Sequence, residues 1–184
     1  IHPPRNEGDL MRIENEEQPF HPIYNYALIT DSEEGLILVD VNTLADGLPR
    51  NNFLKRSLTW NENNVLDGAR HITIAGHIVY ITTPDALVVL DLNDPLSPKL
   101  LNRIKMNDPR ASALQFRYLL VTDKDGVKIF DATSPNNIKS SPVAAVPLND
   151  ARKVYIARTY AYVAAGKEGL AIIDVKNPEK PFIN

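Results

Sequence analysis

The stretch GLAIIDVKNPEKP, residues 169–181, decides the fold, because the chain contains four versions of its first half. The other three are GLILVD at 35–40, ALVVLD at 86–91 and GVKIFD at 126–131. Each starts with a small residue, runs through β-favouring residues and ends on an aspartate that precedes turn-forming residues. A repeat spaced by about 40 to 50 residues is typical of repeat architectures and has to be interpreted before any single motif.

Further repeated segments lie on both sides of each copy. The segment immediately before it reads YALITD at 26–31, IVYITT at 78–83, YLLVTD at 118–123 and YAYVAA at 160–165. Further upstream, ARHITI at 69–74, PRASAL at 109–114 and ARKVYI at 151–156 align, whereas FHPIY at 20–24 diverges. A fourth segment follows the aspartate turn, as in KLLNRI at 99–104 and PVAAV at 142–146.

Four short β-segments per repeat predict an all-β chain, a β-propeller of about four four-stranded antiparallel blades. We expect a single domain over 1–184, with repeats at roughly 18–62, 66–106, 107–149 and 150–184. DLMRI at 9–13 resembles a stray outer strand within 8–14. That strand could complete the last blade and close a four-bladed ring; alternatively, the chain is a segment of a larger propeller.

The pattern in residues 169–181, together with DARKVYIARTYAYV at 150–163, resembles the LVIVD repeat. The resemblance covers about residues 20–184 and is weakest in the first copy, where NTLADGLP at 42–49 lacks the Asn-Pro turn. It implies a propeller fold and an extracellular, cell-surface or periplasmic location. The family is mostly of unknown function and has no shared catalytic residues, so the resemblance implies no chemistry.

Composition excludes several functional classes. A net charge of −3 and a pI near 5.8 argue against nucleic-acid binding. Without cysteine, the chain cannot use thiolate catalysis or thiolate-bound zinc. The four histidines have no metal-ligand spacing, and we expect no metal site and no cofactor. No apolar run is long enough to cross a bilayer.

The four aspartates that end the repeated segments are predicted to be structural. Each precedes a turn, where its carboxylate can accept a hydrogen bond from the backbone N–H two residues on. A folding requirement explains an identical residue in every copy better than a ring of catalytic carboxylates does. The four are Asp40, Asp91, Asp131 and Asp174.

Arg70, Arg110 and Arg152 occupy one position of the alignment, near the start of the innermost strand. In a propeller this strand lines the central channel, so the three guanidinium groups could converge on a carboxylate or a phosphate. The alternative is that each arginine pairs with an acid upstream of the inner strands, such as Asp67, Asp108 or Asp150.

A second candidate surface surrounds Trp60, Asn61 and Asn63, in an extended connection between the first two repeats. Together with residues 42–52 this connection makes the first repeat about ten residues longer than the others. Long loops on a rigid scaffold often carry recognition, which makes these residues candidates for partner contact.

The residues favour a non-catalytic protein-interaction or scaffold module with a protein partner. One alternative is a binder of an anionic small molecule or a polysaccharide through the arginine cluster. A weaker alternative is a lactonase-like propeller hydrolase, but no catalytic residues for that chemistry are recognisable. Enzymatic activity is therefore not expected, although the fold alone does not decide between these classes.

Overall fold

The computed structural model describes residues 21–44 and 49–184, except for the side chains of Thr43 and Asn51. In this part of the chain the regular elements are β-strands and six short 3-10 turns, with no α-helix. The strands are β1 Tyr26–Asp31, β2 Gly35–Asp40, β3 Lys55–Trp60, β4 His71–Ala75, β5 Ile78–Thr82, β6 Ala86–Asp91, β7 Lys99–Lys105, β8 Ala111–Gln115, β9 Tyr118–Asp123, β10 Gly126–Asp131, β11 Ala144–Pro147, β12 Lys153–Ala157, β13 Tyr160–Ala164, β14 Leu170–Asp174 and β15 Phe182–Ile183. The 3-10 turns are Pro22–Asn25, Asn42–Leu44, Pro49–Asn51, Glu62–Asn64, Pro135–Asn137 and Gly166–Glu168.

The strands form four antiparallel sheets in which every strand pairs with its neighbours in sequence. The first sheet is β1-β2-β3, the second β4-β5-β6-β7, the third β8-β9-β10-β11 and the fourth β12-β13-β14-β15. This simple up-and-down order within each sheet is that of a propeller blade and confirms the all-β prediction.

The sheets pack face to face in chain order through three apolar cores. One core joins the first and second sheets, one the second and third, and one the third and fourth. Because both faces of β6 are covered, its residues Ala86 to Leu90 are all buried. This explains why the sequence shows a continuous apolar run there and no alternation of apolar and polar residues.

The first repeat differs from the others. Its sheet has three strands in the described part of the chain, and the 3-10 turn Pro22–Asn25 precedes β1. The side chain of His21 caps this turn by accepting a hydrogen bond from the N–H of Ile23 at 3.2 Å. The divergent segment at 20–24 therefore contributes a turn within residues 21–25. The stray strand expected within 8–14 lies outside the described residues.

The prediction for the four repeated aspartates is confirmed. In each repeat a carboxylate oxygen accepts a hydrogen bond from the backbone N–H two residues on, at 2.7 to 2.9 Å. The bond closes the turn that leads the chain from the strand ending in the aspartate to the outer strand of the sheet. The four bonds join Asn42 to Asp40, Asn93 to Asp91, Thr133 to Asp131 and Lys176 to Asp174.

Within residues 21–44 and 49–184, no helix has the length and apolar character needed to cross a membrane.

Candidate functional site

The three predicted arginines lie in one row, each immediately before the inner strand of its sheet. Two aspartates separate them, so the row alternates in charge. Arg70 donates from Nη1 to Asp108 of the next sheet, and Arg110 donates in the same way to Asp150. Within its own turn Arg110 also donates from Nε to Asp108 at 3.1 Å, and Arg152 donates from Nε to Asp150 at 2.9 Å. The row therefore runs across two sheet junctions.

A left-handed backbone positions the acids of this row. Asp108 has φ 59° and Asp150 has φ 57°, a conformation in which aspartate is among the better-tolerated residues. The equivalent position before the second sheet is Gly68, with φ 72°. In all three turns the N–H of this residue donates to a backbone carbonyl in a hairpin loop of the preceding sheet, the loop β1–β2, β5–β6 or β9–β10. The turn is thus common to all three junctions, whereas the carboxylate occurs only in the second and third.

The arginines of the row favour the ionised form of both carboxylates. The hydrogen bond from Arg70, reinforced by Arg110, lowers the pKa of Asp108 below its ordinary value of 3.8. For Asp150 the hydrogen bond from Arg152 comes first and that from Arg110 second, and together they lower the pKa of this carboxyl. Conversely, the bond to Asp150 raises the pKa of Arg110.

The three arginines differ in how far their donors are used. Arg110 contacts two carboxylates and its side chain is 24% exposed, whereas Arg152 contacts one and is 64% exposed. In the described part of the chain, Nη1 of Arg152 has no acceptor. The structure thus gives the aspartate pairing that the sequence left open as the alternative. Anion binding by the three arginines stays a prediction.

The second predicted surface is a groove of about 240 Å³ at the junction of the first two sheets. Trp60 and Asn63 line it and Asn61 does not, and partner contact by these residues stays a prediction. Its remaining lining residues come from the loop after β3 and from the outer strand β7. They are Glu62, Asn64, Val65, Leu100 and Arg103.

One sequence interpretation of this region is wrong. Trp60 does not lie in the connection: it ends β3, where it pairs with Leu36 of β2 and packs on the first core. The connection itself starts at Asn61, which holds the loop together. Its Oδ1 accepts from the N–H of Leu66 at 2.8 Å, and its Nδ2 donates to Asp67 at 2.7 Å.

The loop takes the left-handed conformation at two successive residues. Asn63 and Asn64 have φ 53° and 58°, a region in which asparagine, like aspartate, is among the better-tolerated residues. Gly68 follows the end of β3 at residue 60 by eight positions, whereas Asp108 follows the end of β7 at residue 105 by three. Since the other junctions form without these extra residues, the architecture itself does not require the loop.

A larger cleft lies elsewhere, a space of about 590 Å³ between the second and third sheets. Its charged lining is mostly neutralised, because Asp85 pairs with Arg103 and Lys128 pairs with the buried Asp123. No predicted site residue lines this cleft. Across residues 21–44 and 49–184, no three His, Asp or Glu side chains are grouped to hold a metal ion.

Sequence reasoning missed Leu100 and Arg103 as part of the groove. Both lie on β7 of the second sheet, about forty residues after Trp60 in the chain, and only sheet packing brings them to the loop. Leu100 is half exposed. No local pattern in KLLNRIK distinguishes it from the partly buried Leu101 or the buried Ile104 on the same strand.

Comparison with solved structures supports the propeller fold. The chain matches a functionally unknown protein from Desulfotomaculum acetoxidans DSM 771 with a TM-score of 0.68 at 13% identity, covering 87% of this chain and 51% of that one. The N-terminal domain of Nup159 gives 0.59 at 10% identity, with 88% and 41% covered. PorZ, a surface component of the type-IX secretion system of Porphyromonas gingivalis, gives 0.55 at 18% identity, with 87% and 19% covered. The chain thus spans about half or less of each of these proteins, and the likeness concerns the fold alone.

No curated protein matches the sequence. The model of the LVIVD repeat, by contrast, matches residues 24–45, 68–105 and 149–183, which is just over half of the chain. These segments contain the first, second and fourth copies of the repeated aspartate turn. The chain belongs to the LVIVD-repeat family.

Proposed function

We propose that this chain is a non-catalytic interaction module that binds a protein partner through the groove beside Trp60, at the cell surface or in the periplasm. The observation that carries the proposal is the inserted loop at the first junction. It is held in one conformation by hydrogen bonds from Asn61, and yet the other two junctions form without such a loop. An ordered insertion on a rigid scaffold is a common place for a binding surface.

The lining of the groove suits a protein partner. Trp60, Val65 and Leu100 supply apolar surface, and Asn63, Asn64 and Glu62 surround it with polar groups. An aromatic anchor with a polar rim is the usual composition of a protein-binding hot spot. Arg103 completes the rim and is held by Asp85 at 2.6 Å, so its guanidinium is already oriented.

The cellular location follows from the family resemblance and is part of the same proposal. PorZ is described as an essential bacterial surface component, which is compatible with that location. Its 18% identity supports only a common fold.

A photo-crosslinking experiment tests the binding proposal. A benzophenone amino acid placed at Asn63 of the full chain, expressed in its own cells, is expected to capture one predominant protein. The matched control carries the same group at Phe116, an exposed turn residue of the third sheet. Trp60→Ala should abolish capture at Asn63. Identical products from both positions, or capture that survives Trp60→Ala, would rule out the groove as the binding site.

The anionic-ligand alternative has less support. Arg70 and Arg110 already have their charges matched by Asp108 and Asp150, so an anion would have to displace these carboxylates. Titration with inorganic phosphate measures this directly, and we expect no saturable heat. The hydrolase alternative has no observation in its favour within the described residues.

A further inference from the structure

The outer face of the fourth sheet, which points away from the third sheet, carries exposed apolar residues. Leu170 of β14 is 64% exposed. Its counterparts by position in the repeat are Leu87 of β6 and Val127 of β10, which are 0% and 1% exposed. Leu87 packs in the core shared with the third sheet, and Val127 packs in the core shared with the fourth. In both cases the following sheet buries the residue.

The same comparison holds on the inner strand. Thr73, the third residue of β4, reaches across to the next sheet, where its hydroxyl lies 2.7 Å from that of Ser112. The third residue of β12 is Tyr155, which is 69% exposed. At the outer strand Phe182 is exposed as well. An apolar face of this extent, with an aromatic residue at both its inner and its outer strand, marks an interaction surface on a folded protein.

The charged row ends at this same face. Arg70 and Arg110 each direct Nη1 to the left-handed aspartate of the following sheet. Arg152 is oriented like Arg110, since its Nε donates to the aspartate of its own turn. Its Nη1, which would meet the next aspartate in the series, has no acceptor among the described residues. Arg152 is therefore positioned to pair with one more carboxylate at a defined place.

We propose that the face formed by Tyr155, Leu170, Phe182 and Arg152 docks a further sheet of the LVIVD type, one that carries an aspartate in the position of Asp108 and Asp150. The incoming sheet covers the apolar residues as the third sheet covers Leu87. Its aspartate accepts from Nη1 of Arg152 and extends the charged row. This inference is independent of the Trp60 groove.

Charge and register together select this occupant. A generic apolar surface would cover Leu170 and Phe182 but would leave Nη1 of Arg152 without an acceptor in a newly desolvated place, which costs free energy. A sheet with the aspartate turn satisfies both requirements, as two junctions in this chain already do.

The full chain, extended by a copy of part of itself, tests the proposal. In the second sheet β6 pairs Leu90 with Leu100, as β14 pairs Ile173 with Ile183 in the fourth. A copy of residues 102–149 fused after Asn184 therefore continues the outer strand in register and supplies a sheet with the aspartate turn. The chain has no cysteine, so a single introduced pair reports docking without background.

The reporter pair is Tyr155→Cys with Ser112→Cys in the appended copy. Its positive control is Thr73→Cys with Ser112→Cys in the unextended chain, where the two hydroxyls already touch. We expect both pairs to form a disulfide under mild oxidation. Arg152→Gln should lower the rate of disulfide formation at the new junction roughly fivefold, which corresponds to the upper range for an exposed ion pair. Lys176→Gln, which removes a charge at the opposite end of the sheet, should not.

An aspartate-to-asparagine change in the appended copy, at the position of Asp108, should slow the disulfide as much as Arg152→Gln does. Combined, the two changes should have no greater effect than either alone, because they remove the same contact. An extension that stays unfolded, or folds without forming the bond, would overturn the proposal, since the same repeat folds against the second sheet. Equal rates for Arg152→Gln and Lys176→Gln would overturn it too. A dimer of the unextended chain that Arg152→Gln dissociates would show that a second copy is the occupant.

Discussion

The junction between the second and third sheets and the outer face of the fourth sheet place similar residues in opposite surroundings. Leu87 and Leu170 occupy the same position of the repeat, and one is fully buried while the other is exposed. Arg110 and Arg152 likewise share a position of the repeat. Arg110 pairs with two carboxylates, whereas Arg152 pairs with one. Each repeat thus encodes half of an interface, and the sheet that follows decides whether that half is a core or a surface.

The first junction departs from the other two. It uses the same left-handed turn, but Gly68 stands where Asp108 and Asp150 stand, and the carboxylate of Asp67 is held by Asn61 instead. The charged row is thereby replaced by a loop with its own hydrogen bonds. Because the first junction does not depend on the repeated ion pair, its loop can line the groove beside Trp60.

The largest expected effect comes from truncating the buried member of the leucine pair. Leu87→Ala should lower the free energy of unfolding by about 3 kcal/mol, because it leaves a cavity between two sheets. Leu170→Ala should change it by less than about 0.5 kcal/mol, because its side chain is exposed. Urea unfolding of both variants measures the difference. Similar losses would show that the outer face is covered in solution.

Asp108→Asn tests the charged row at the middle junction. Asparagine keeps the left-handed turn but removes the charge that Arg70 and Arg110 share, so we expect a loss of about 0.5 to 1 kcal/mol. Arg152→Gln is the matched change at the free end and should leave the unfolding midpoint within experimental error. If both variants lose the same free energy of unfolding, the stability that an ion pair in the row contributes does not depend on how many partners each group has.

The row should also give the protein a defined response to acid. The pKa of Asp108 is depressed in the folded state by its arginine hydrogen bonds, so its contribution is fully present above the ordinary value of 3.8. It is lost as the pH falls through the lower folded-state pKa. Asp150 acts in the same direction. Between pH 5 and pH 2, the free energy of unfolding should therefore fall less steeply with pH for Asp108→Asn than for the parent chain. Parallel curves would contradict the pKa direction.

Much of the fold could be predicted because its signals are local. The aspartate turns and the continuous apolar runs of β2 and β6 need only a few neighbouring residues, and four copies reinforce each signal. The start of the first repeat is harder to predict from sequence, because the other copies have no equivalent of its turn at Pro22–Asn25. Trp60 was placed in a loop because a strand end next to an insertion leaves no local mark.

The candidate sites could be predicted only in part, because they depend on contacts between sheets. Alignment placed Arg70, Arg110 and Arg152 at one position and named Asp108 and Asp150 as partners. It did not reveal that each acid bridges two arginines, which requires the left-handed turn. Likewise, Trp60 and Asn63 were identified from the insertion, whereas Arg103 joins them only through the packing of a distant outer strand.

The smallest effect expected concerns His71, on the face of β4 that meets the third sheet. Its Nδ1 accepts a hydrogen bond from the N–H of Ser112 at 3.3 Å, and burial, followed by the charge of Lys153, lowers the pKa of the ring below 6.5. The neutral ring is therefore the stable folded form. Its contribution is complete above pH 6.5 and declines as the pH falls toward the folded-state pKa.

His71→Gln keeps an acceptor and cannot titrate, so its stability should fall less between pH 7 and pH 5 than that of the parent chain. The other three histidines are present in both proteins, so the difference between them reports on His71 alone. An unchanged slope would mean that protonation of His71 leaves this junction intact.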